Sequence, residues 1–365
     1  MTFTPHDTKW IPCSARFVSC GISPGGKGVL NVYELANGSL KTRVECKALR
    51  PNGIKCLTFG ASRLEDRVVA SGDYNGVLSM FDLERCGDSI KQNDKNAAEV
   101  FSVQAHESII NSIDGIGGAN IGHGAPEIVT GGRDGVARVW DPRVNYPVVS
   151  LEPEKGAASR DCWTVTFGNA YNEEERCVLA GYDNGDVKLF DLRTHSVRWE
   201  TNCNNGTTCV EFDRKDIEMN KVIATTLESK FKCYDMRTQH YNDGFASLTE
   251  RAHRSTVWLA RHLPQNRDIF MTGGGNGGFN IYKYHYPLKR VGKHKKDGSP
   301  IGVMGDVELL NSRVISTQPI ISFDWSPDRG GLCCMGSLDQ SLRCVCLLER
   351  KHVTFDFFNR HKITY

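Results

Sequence analysis

The chain has 365 residues, with 45 Lys and Arg against 43 Asp and Glu, which leaves a formal net charge of +2. A charge this close to zero disfavours nucleic acid or an anionic membrane as the partner. No cationic start followed by an apolar run opens the chain, and no stretch approaches ~18 apolar residues, so we expect neither a signal peptide nor a membrane span. We therefore expect a cytoplasmic protein whose 14 cysteines are reduced thiols.

Near the N-terminus, residues 21–28, GISPGGKG, nearly match the phosphate-binding loop pattern. Gly28 stands where that pattern needs a hydroxyl, and residues 29–35 alternate like a strand instead of opening a helix. Residues 273–278, GGGNGG, satisfy a dinucleotide-binding string but also lead into a strand. We therefore predict hairpin turns at both places and no cofactor.

One hairpin pattern recurs along the chain. In residues 127–143 an apolar strand leads into the turn Gly-Gly-Arg-Asp-Gly, and a second strand closes on Trp140-Asp141. Seven such units end near Tyr33, Phe81, Trp140, Phe190, Tyr234, Tyr282 and Val345. Their spacing is close to ~40–45 residues apart from two insertions. This predicts an all-β fold, a seven-bladed WD-repeat β-propeller that forms a single domain over residues 1–349.

Apolar strands precede the hairpins and are expected to be the inner strands of the blades. Five of them are clear, at residues 54–59, 162–167, 207–212, 257–262 and 320–325. Residues 110–115 fit this pattern less well.

In the third blade, four residues fill the positions of the WD-repeat structural tetrad: His106, Thr130, Asp134 and Trp140. A hydroxyl, an imidazole and a carboxylate could suggest a hydrolase. A buried indole N–H needs an acceptor, however, and these side chains can pass a hydrogen bond from Trp140 to Asp134. We interpret them as a structural lock and predict that the protein is not an enzyme. A weaker copy is predicted at His253, Thr272, Asn276 and Tyr282.

Two long connections interrupt the repeat. Residues 113–127 hold five glycines, which predicts an ordered loop with positive-φ residues. Residues 287–319 include the basic run LKRVGKHKKDG, which could bind nucleic acid. We favour a solvated loop because the run offers no aromatic side chain for stacking. The cysteines include no CxxC pair, so we predict no metal site.

Residues 350–365 form a C-terminal tail in which residues 353–357, VTFDF, alternate like a strand. Propellers avoid an open sheet edge by letting the two chain ends share a blade. We hypothesise that the tail supplies the outer strand of the last blade. Alternatively, the edge stays open and pairs with a strand of a partner.

Binding residues are expected at the end of the propeller where the inner strands begin. Trp163 and Trp258 occupy the same register in the fourth and sixth blades. Together with other inner-strand and turn positions, the candidates are Trp163, Trp258, Lys55, Asn111, Asp73, Tyr74, Arg133, Tyr182 and Asp183. The competing interpretation is that both tryptophans pack against neighbouring blades.

Several segments resemble one family far beyond the repeat pattern: residues 113–127, 160–193, 211–231, 235–240 and 253–267. They are similar to the dynein axonemal assembly factor family of WD-repeat propellers, and the likeness runs from about Thr8 to about Val345. The resemblance implies a non-enzymatic cytoplasmic adaptor, a monomeric propeller within larger complexes. Its implied partners are prefoldin-like and TPR-containing co-chaperone subunits and dynein heavy chains. The alternative is a reader of modified peptides such as methylated histone tails.

Overall fold

The computed structural model describes residues 3–36, 39–85, 98–119, 121–153, 156, 158–349 and 355–362. Over these residues the chain forms seven four-stranded antiparallel sheets, and the first strand of each sheet contacts the first strand of the next around a closed ring. The all-β, seven-bladed propeller predicted from the repeat is therefore confirmed.

Blades 1 to 4 follow the chain in order. Blade 1 contains β1 (Thr4–Trp10), β2 (Arg16–Ile22), β3 (Gly28–Ala36) and β4 (Ser39–Arg50). Blade 2 contains β5 (Ile54–Thr58), β6 (Val68–Asp73), β7 (Val77–Asp82) and β8 (Glu99–Gln104). Blade 3 contains β9 (Ile110–Ile116), β10 (Glu127–Gly132), β11 (Ala137–Trp140) and β12 (Pro147–Leu151). Blade 4 contains β13 (Cys162–Gly168), β14 (Cys177–Tyr182), β15 (Asp186–Asp191) and β16 (Ser196–Asn202).

Blades 5 to 7 complete the ring. Blade 5 contains β17 (Thr207–Phe212), β18 (Lys221–Thr226), β19 (Lys230–His240) and β20 (Gly244–Arg251). Blade 6 contains β21 (Val257–Leu263), β22 (Asn266–Gly274), β23 (Gly278–His285) and β26 (Asp306–Val314). Between β23 and β26 the chain forms a short additional hairpin of β24 (Val291–Lys293) and β25 (Pro300–Gly302). Blade 7 contains β27 (Ile320–Trp325), β28 (Leu332–Ser337), β29 (Ser341–Glu349) and β30 (Phe355–Lys362).

Burial follows the position of a strand within its blade. The second strands β14, β18 and β28 are buried along their whole length, because both faces pack against neighbouring blades. The outer strand β8 alternates between half-buried and exposed residues, as does β12 up to its buried last residue, Leu151, since one face of each strand meets solvent. This explains why the inner hairpin was visible in the sequence as an apolar pattern.

The turn between the second and third strands of a blade needs a residue with positive φ. The equivalent residue has a φ between 59° and 92° in six blades: Gly76, Gly135, Gly185, Ser229, Gly277 and Gln340. At Gly76 a Cβ would also stand 2.2 Å from the carbonyl oxygen of His106. Glycine recurs here because it has no side chain to strain or clash.

The insertion in blade 6 differs from the solvated loop that its basic run predicted. Its last part is β26, which pairs with β23 from Gly278–Val314 to His285–Asp306 as the outer strand of the blade. Arg290, within the basic run, donates from Nε to Asp235 Oδ2 at 2.8 Å and from Nη1 to Asn220 Oδ1 at 2.8 Å, both in blade 5. The prediction of a solvated loop was wrong for Arg290, because a charged side chain can bind a neighbouring blade as well as water, and for the segments that form β24 and β26. The lysine side chains of the basic run are exposed: Lys289, Lys293, Lys295 and Lys296.

At the C-terminus, β30 pairs antiparallel with β29 from Glu349–Phe355 to Arg343–Lys362. This strand begins two residues later than the predicted start of the alternation and extends to Lys362. Residues 353 and 354 lie outside the described part of the chain. The contribution of the tail to stability remains a prediction.

Within the described residues, no blade combines strands from both ends of the chain. The first and last blades meet instead through β1 and β27, where the N–H of Trp10 donates to Asp324 Oδ2 at 2.7 Å. The N–H of Leu57 donates in the same way to Asp7 Oδ2 at 2.9 Å, and that of Phe167 donates to Asp114 Oδ2 at 2.8 Å. The ring therefore closes through the same type of bond that joins other neighbouring blades.

The described ranges contain no helix with the length and apolar character that a bilayer crossing requires.

Candidate protein-binding face

One end of the propeller, called the top face below, consists of the residue before each inner strand, the start of that strand, and the turn between the second and third strands. In six blades the first turn residue donates its N–H to the carbonyl oxygen before the inner strand, at 2.8 to 3.1 Å. These pairs are Tyr74–Gly53, Arg133–Ile109, Asp183–Asp161, Leu227–Gly206, Gly275–Thr256 and Leu338–Pro319. All nine candidate binding residues lie at this end of their strands, as the repeat register predicted.

The tetrad of blade 3 forms one continuous chain of hydrogen bonds. The indole Nε1–H of Trp140 donates to Thr130 Oγ1 at 3.0 Å, and His106 Nε2 lies 2.7 Å from the same oxygen. His106 Nδ1 lies 2.9 Å from Asp134 Oδ1, and Arg138 Nη1 donates to Asp134 Oδ2 at 3.1 Å. Burial raises the pKa of Asp134, but the hydrogen bond and the attraction of His106 outweigh it and hold that pKa at about 2. The carboxylate is ionised at neutral pH and tied inside its blade.

Blades 6 and 7 carry incomplete versions of this chain. In blade 6, His253 Nε2 lies 2.8 Å from Thr272 Oγ1, and burial lowers the pKa of His253 to about 4. In blade 7, Ser316 takes the histidine position and lies 2.7 Å, oxygen to oxygen, from Ser337, while its hydroxyl also donates to Asp339 Oδ2 at 3.1 Å. Sequence reasoning missed this serine version, although Ser316 stands four residues before Ile320, as the tetrad histidines do before their inner strands.

Three of the nine candidate side chains are buried or hydrogen-bonded within the propeller itself. Asn111 Nδ2 donates to the carbonyl oxygen of Cys162 at 3.1 Å and so ties blade 3 to blade 4. Asp73 is buried and accepts the N–H groups of Asn75 at 2.9 Å and Val77 at 2.8 Å. Tyr182 is also buried. These side chains position the top face and offer a partner little surface.

Four candidates remain within reach of a partner. Arg133 is exposed and lies 3.5 Å from Asp161, Nε to Oδ2. Lys55, Tyr74 and Asp183 are half-buried. Tyr74 Oη lies 3.2 Å from His6 Nε2. Burial, followed by the repulsion of Lys55, lowers the pKa of His6 to about 4, so this ring is neutral at physiological pH.

The two tryptophans differ in their surroundings. Trp163 is half-buried, and its ring covers Gly206, where a Cβ would stand 2.8 Å from Trp163 Cζ3. Gly206 leads into the inner strand of blade 5, so Trp163 packs against the neighbouring blade. Trp258 exposes 38% of its surface beside Gly275 of its own blade. The structure thus places Trp163 in the contact between blades 4 and 5 and Trp258 on the surface.

Two further apolar residues share this face on blade 7. Ile321 has the register of Trp258 on the adjacent inner strand and is half-buried, and Leu338 is the first turn residue and is 40% exposed. We call Trp258, Ile321 and Leu338 the blade 6–7 patch. Sequence reasoning overlooked the two aliphatic residues because it searched this register for aromatic and polar side chains.

Comparisons with known proteins agree with this architecture. No protein-family model matches the chain. Dynein axonemal assembly factor 10 of Homo sapiens is 54% identical over 348 residues, which cover 95% of this chain and 94% of that protein. Dynein axonemal assembly factor 10 of Chlamydomonas reinhardtii is 50% identical over 345 residues, covering 94% and 93%. The crystal structure of the WD40 β-propeller domain of Doa1 matches with a TM-score of 0.65 over 96% of this chain and 95% of that chain; its 14% identity supports the fold alone.

Proposed function

The chain belongs to the family of dynein axonemal assembly factor 10, and from this premise we propose that it is a non-catalytic scaffold for the assembly of axonemal dynein in the cytoplasm. The observation that carries the proposal is the 54% identity to the human assembly factor over 95% of the chain. The matched region covers 95% of this chain and so extends over the surface loops as well as the core. Function in a propeller depends on those loops.

The geometry supports binding without chemistry. The hydroxyl, imidazole and carboxylate of the tetrad are hydrogen-bonded within the tetrad and so are not available to a substrate. Their packing is tight, since a Cβ added at Gly132 would stand 2.3 Å from His106 Nδ1. A rigid frame of this kind loses little conformational entropy when a partner binds, which favours its use as a scaffold.

We propose that partners bind the top face, with the blade 6–7 patch at the centre of the contact. Tryptophan is enriched among residues that dominate binding energy at protein interfaces, and Trp258 is the exposed tryptophan of this face. Arg133, Lys55, Tyr74 and Asp183 extend the contact as polar groups of the same face on blades 2 to 4. The partners are co-chaperone subunits of the prefoldin-like and TPR-containing kinds and dynein heavy chains, as the family resemblance implies.

A reader of methylated peptides has less support. Such a site needs several aromatic rings around one cation. Trp163 lies in blade 4 and Trp258 in blade 6, and Thr208 holds the same register in blade 5 between them. The two rings thus lie two blades apart, with a threonine instead of an aromatic residue in this register between them, which gives a cage little support.

The test is capture of partners by the purified full chain from a lysate of cells that are assembling cilia, with quantification by mass spectrometry. We expect dynein heavy chains and co-chaperone subunits to be retained, and Trp258→Ala to weaken their binding by ~10-fold or more, the effect of losing a central tryptophan. Thermal unfolding of each variant checks that the propeller remains folded.

Tyr146→Ala is the matched control. Tyr146 is 64% exposed in the turn between β11 and β12, at the opposite end of the propeller. It should retain the partners. Capture of neither heavy chains nor co-chaperones by the unmodified chain would contradict the proposed function, whereas equal capture by Trp258→Ala would reject only the patch.

A further inference from the structure

The insertion of blade 6 brings a histidine onto a turn of blade 5. His294 lies in the hairpin of β24 and β25, and His240 and Asp243 lie at the turn between β19 and β20. One ligand atom from each of these three residues lies within 4.8 Å of the other two. The cluster lies outside both the tetrad and the top face.

We propose that His240, Asp243 and His294 bind a divalent transition-metal ion, with Zn²⁺ as the best match, and that this ion ties the blade 6 insertion to blade 5. Two imidazoles and a carboxylate are ligands that Zn²⁺ commonly takes, with a water molecule in the fourth position. The proposal is independent of the proposed function in dynein assembly.

The distances fit tetrahedral coordination. Zn–N and Zn–O bonds of ~2.0–2.1 Å place neighbouring ligand atoms about 3.3–3.4 Å apart in a tetrahedron. Asp243 Oδ2 lies 3.4 Å from His240 Nδ1 and 3.3 Å from His294 Nε2. Two edges of the coordination polyhedron are thus already in place.

Hydrogen bonds behind His294 orient it for this role. Its Nδ1 lies 2.8 Å from Asp297 Oδ1, so a proton on Nδ1 leaves Nε2, which is 3.3 Å from Asp243 Oδ2, unprotonated and able to bind a metal ion. Asp297 also accepts the N–H of Ser299 at 3.0 Å and the hydroxyl of Tyr241. A carboxylate behind a ligating histidine is the common arrangement in zinc sites.

His240 is fixed from the other side. The Ser299 hydroxyl donates to Asp297 Oδ1 at 2.6 Å, so Ser299 Oγ accepts the proton of His240 Nε2 at 2.9 Å. Its Nδ1 is then the unprotonated nitrogen, and it accepts the N–H groups of Asn242 at 3.3 Å and Asp243 at 3.0 Å. When His240 Nδ1 binds the ion, it no longer accepts these two hydrogen bonds. The N–H groups of Asn242 and Asp243, in this exposed turn, then bind water.

His240 is buried beneath the site, whereas Asp243 lies on the side that faces solvent. The His240 side chain is 1% exposed, and its ring packs against those of Tyr241 and His294, with centroids 4.6 and 4.5 Å apart and ring planes tilted by 36° and 40°. The Asp243 side chain is 54% exposed, so an ion can reach the cluster from solvent. Cys233 and Cys344 are poor competitors, because burial raises the pKa of each thiol to about 12.

The test uses the full chain after removal of metal with a chelator. Calorimetric titration with Zn²⁺ should show one site per chain, and Co²⁺ should give the absorption of tetrahedral nitrogen and oxygen ligation. His294→Ala and Asp243→Ala should each weaken binding by more than ~10-fold, and Asp297→Asn by ~10–100-fold, the range found for partners of ligating histidines. Zn²⁺ should also raise the melting temperature of the unmodified chain and not that of His294→Ala.

His285→Ala is the matched control. His285 lies in the same blade and pairs with Glu308 at 2.8 Å, Nε2 to Oε2, on an exposed surface. Its loss should leave the affinity unchanged. The proposal is overturned by an absence of saturable binding, by binding that survives both His294→Ala and Asp243→Ala, by equal loss in His285→Ala, or by a thiolate charge-transfer band with Co²⁺. Circular dichroism verifies the fold of each variant.

Discussion

At Thr130 a single hydroxyl joins the indole of Trp140 to the imidazole of His106, at 3.0 and 2.7 Å. All three side chains are buried, so water cannot replace a bond that is lost. A buried donor or acceptor without a partner costs about 1–3 kcal/mol. The stability of blade 3 therefore depends on this hydroxyl more than its size suggests.

Thr130→Val removes the hydroxyl while keeping the shape of the side chain. It leaves the Trp140 N–H and His106 Nε2 without their partner, so we expect the free energy of unfolding to fall by about 2–4 kcal/mol. Denaturant unfolding followed by tryptophan fluorescence measures the change. Thr249→Val, at an exposed position of β20, is the matched control and should change stability by less than ~0.5 kcal/mol. Equal stability of both variants would show that the tetrad does not lock the blade.

At the scale of the element, β30 decides how blade 7 ends. Without this strand, β29 would be the outer edge of the blade, and the backbone N–H and C=O groups that pair with β30 would be unpaired, while those facing β28 would keep their partners. An edge of that kind is a template for pairing with another chain. We therefore predict that the tail both stabilises blade 7 and prevents its edge from pairing with another chain.

Deleting residues 350–365 tests the closing role of the tail. We expect the melting temperature to drop by roughly 5–10 °C, because the loss of several ladder bonds costs ~2–3 kcal/mol and each kcal/mol corresponds to ~2–4 °C in a chain of this size. Scanning calorimetry provides the measurement, and light scattering reports association through the freed edge. A shorter truncation of residues 363–365 keeps β30 and should melt like the full chain. A long truncation that also melts like the full chain would reject the hypothesis.

At the scale of the whole molecule, the ring closes at the contact of blades 7 and 1 through Asp324 and Trp10. Burial raises the pKa of Asp324 to about 6, despite the opposing effects of Lys9, the Trp10 N–H and Arg261, and Asp7 raises it further. Between pH 3.8 and about 6, the Asp324 carboxyl group is therefore mostly protonated in the folded protein and mostly ionised in the unfolded chain. The contribution of Asp324 to stability is largest below this window and decreases as the pH rises through it.

Asp324→Asn removes this titration and keeps an oxygen that can accept the Trp10 N–H. The free energy of unfolding of the unmodified chain, relative to that of the variant, should fall by up to about 3 kcal/mol between pH 4 and pH 7. Urea unfolding at a series of pH values measures the difference. Asp328→Asn, an exposed change in the turn of the same blade, should keep the slope of the unmodified chain. Parallel profiles for the unmodified chain and Asp324→Asn would refute the assignment.

The sequence by itself determined the architecture, because each blade repeats a local pattern of apolar strands and a positive-φ turn. Local patterns depend on residues near one another in the chain, so the ring of seven blades, the register of the top face and the positions of the blade 3 tetrad followed from counting. Family resemblance added the expected function. The position of β26 was missed because its residues are mostly half-buried or exposed and lack the apolar pattern of an inner strand.

Only the tertiary structure decided which candidates are available to a partner. Trp163 and Trp258 are equivalent in sequence register, but Gly206 of the next blade gives one ring a surface to cover, while the other stays exposed. The His240, Asp243 and His294 cluster likewise has no sequence signature, because its ligands come from two hairpins of different blades. Contacts between blades join residues that are distant in the chain, and no local pattern encodes the distance between them.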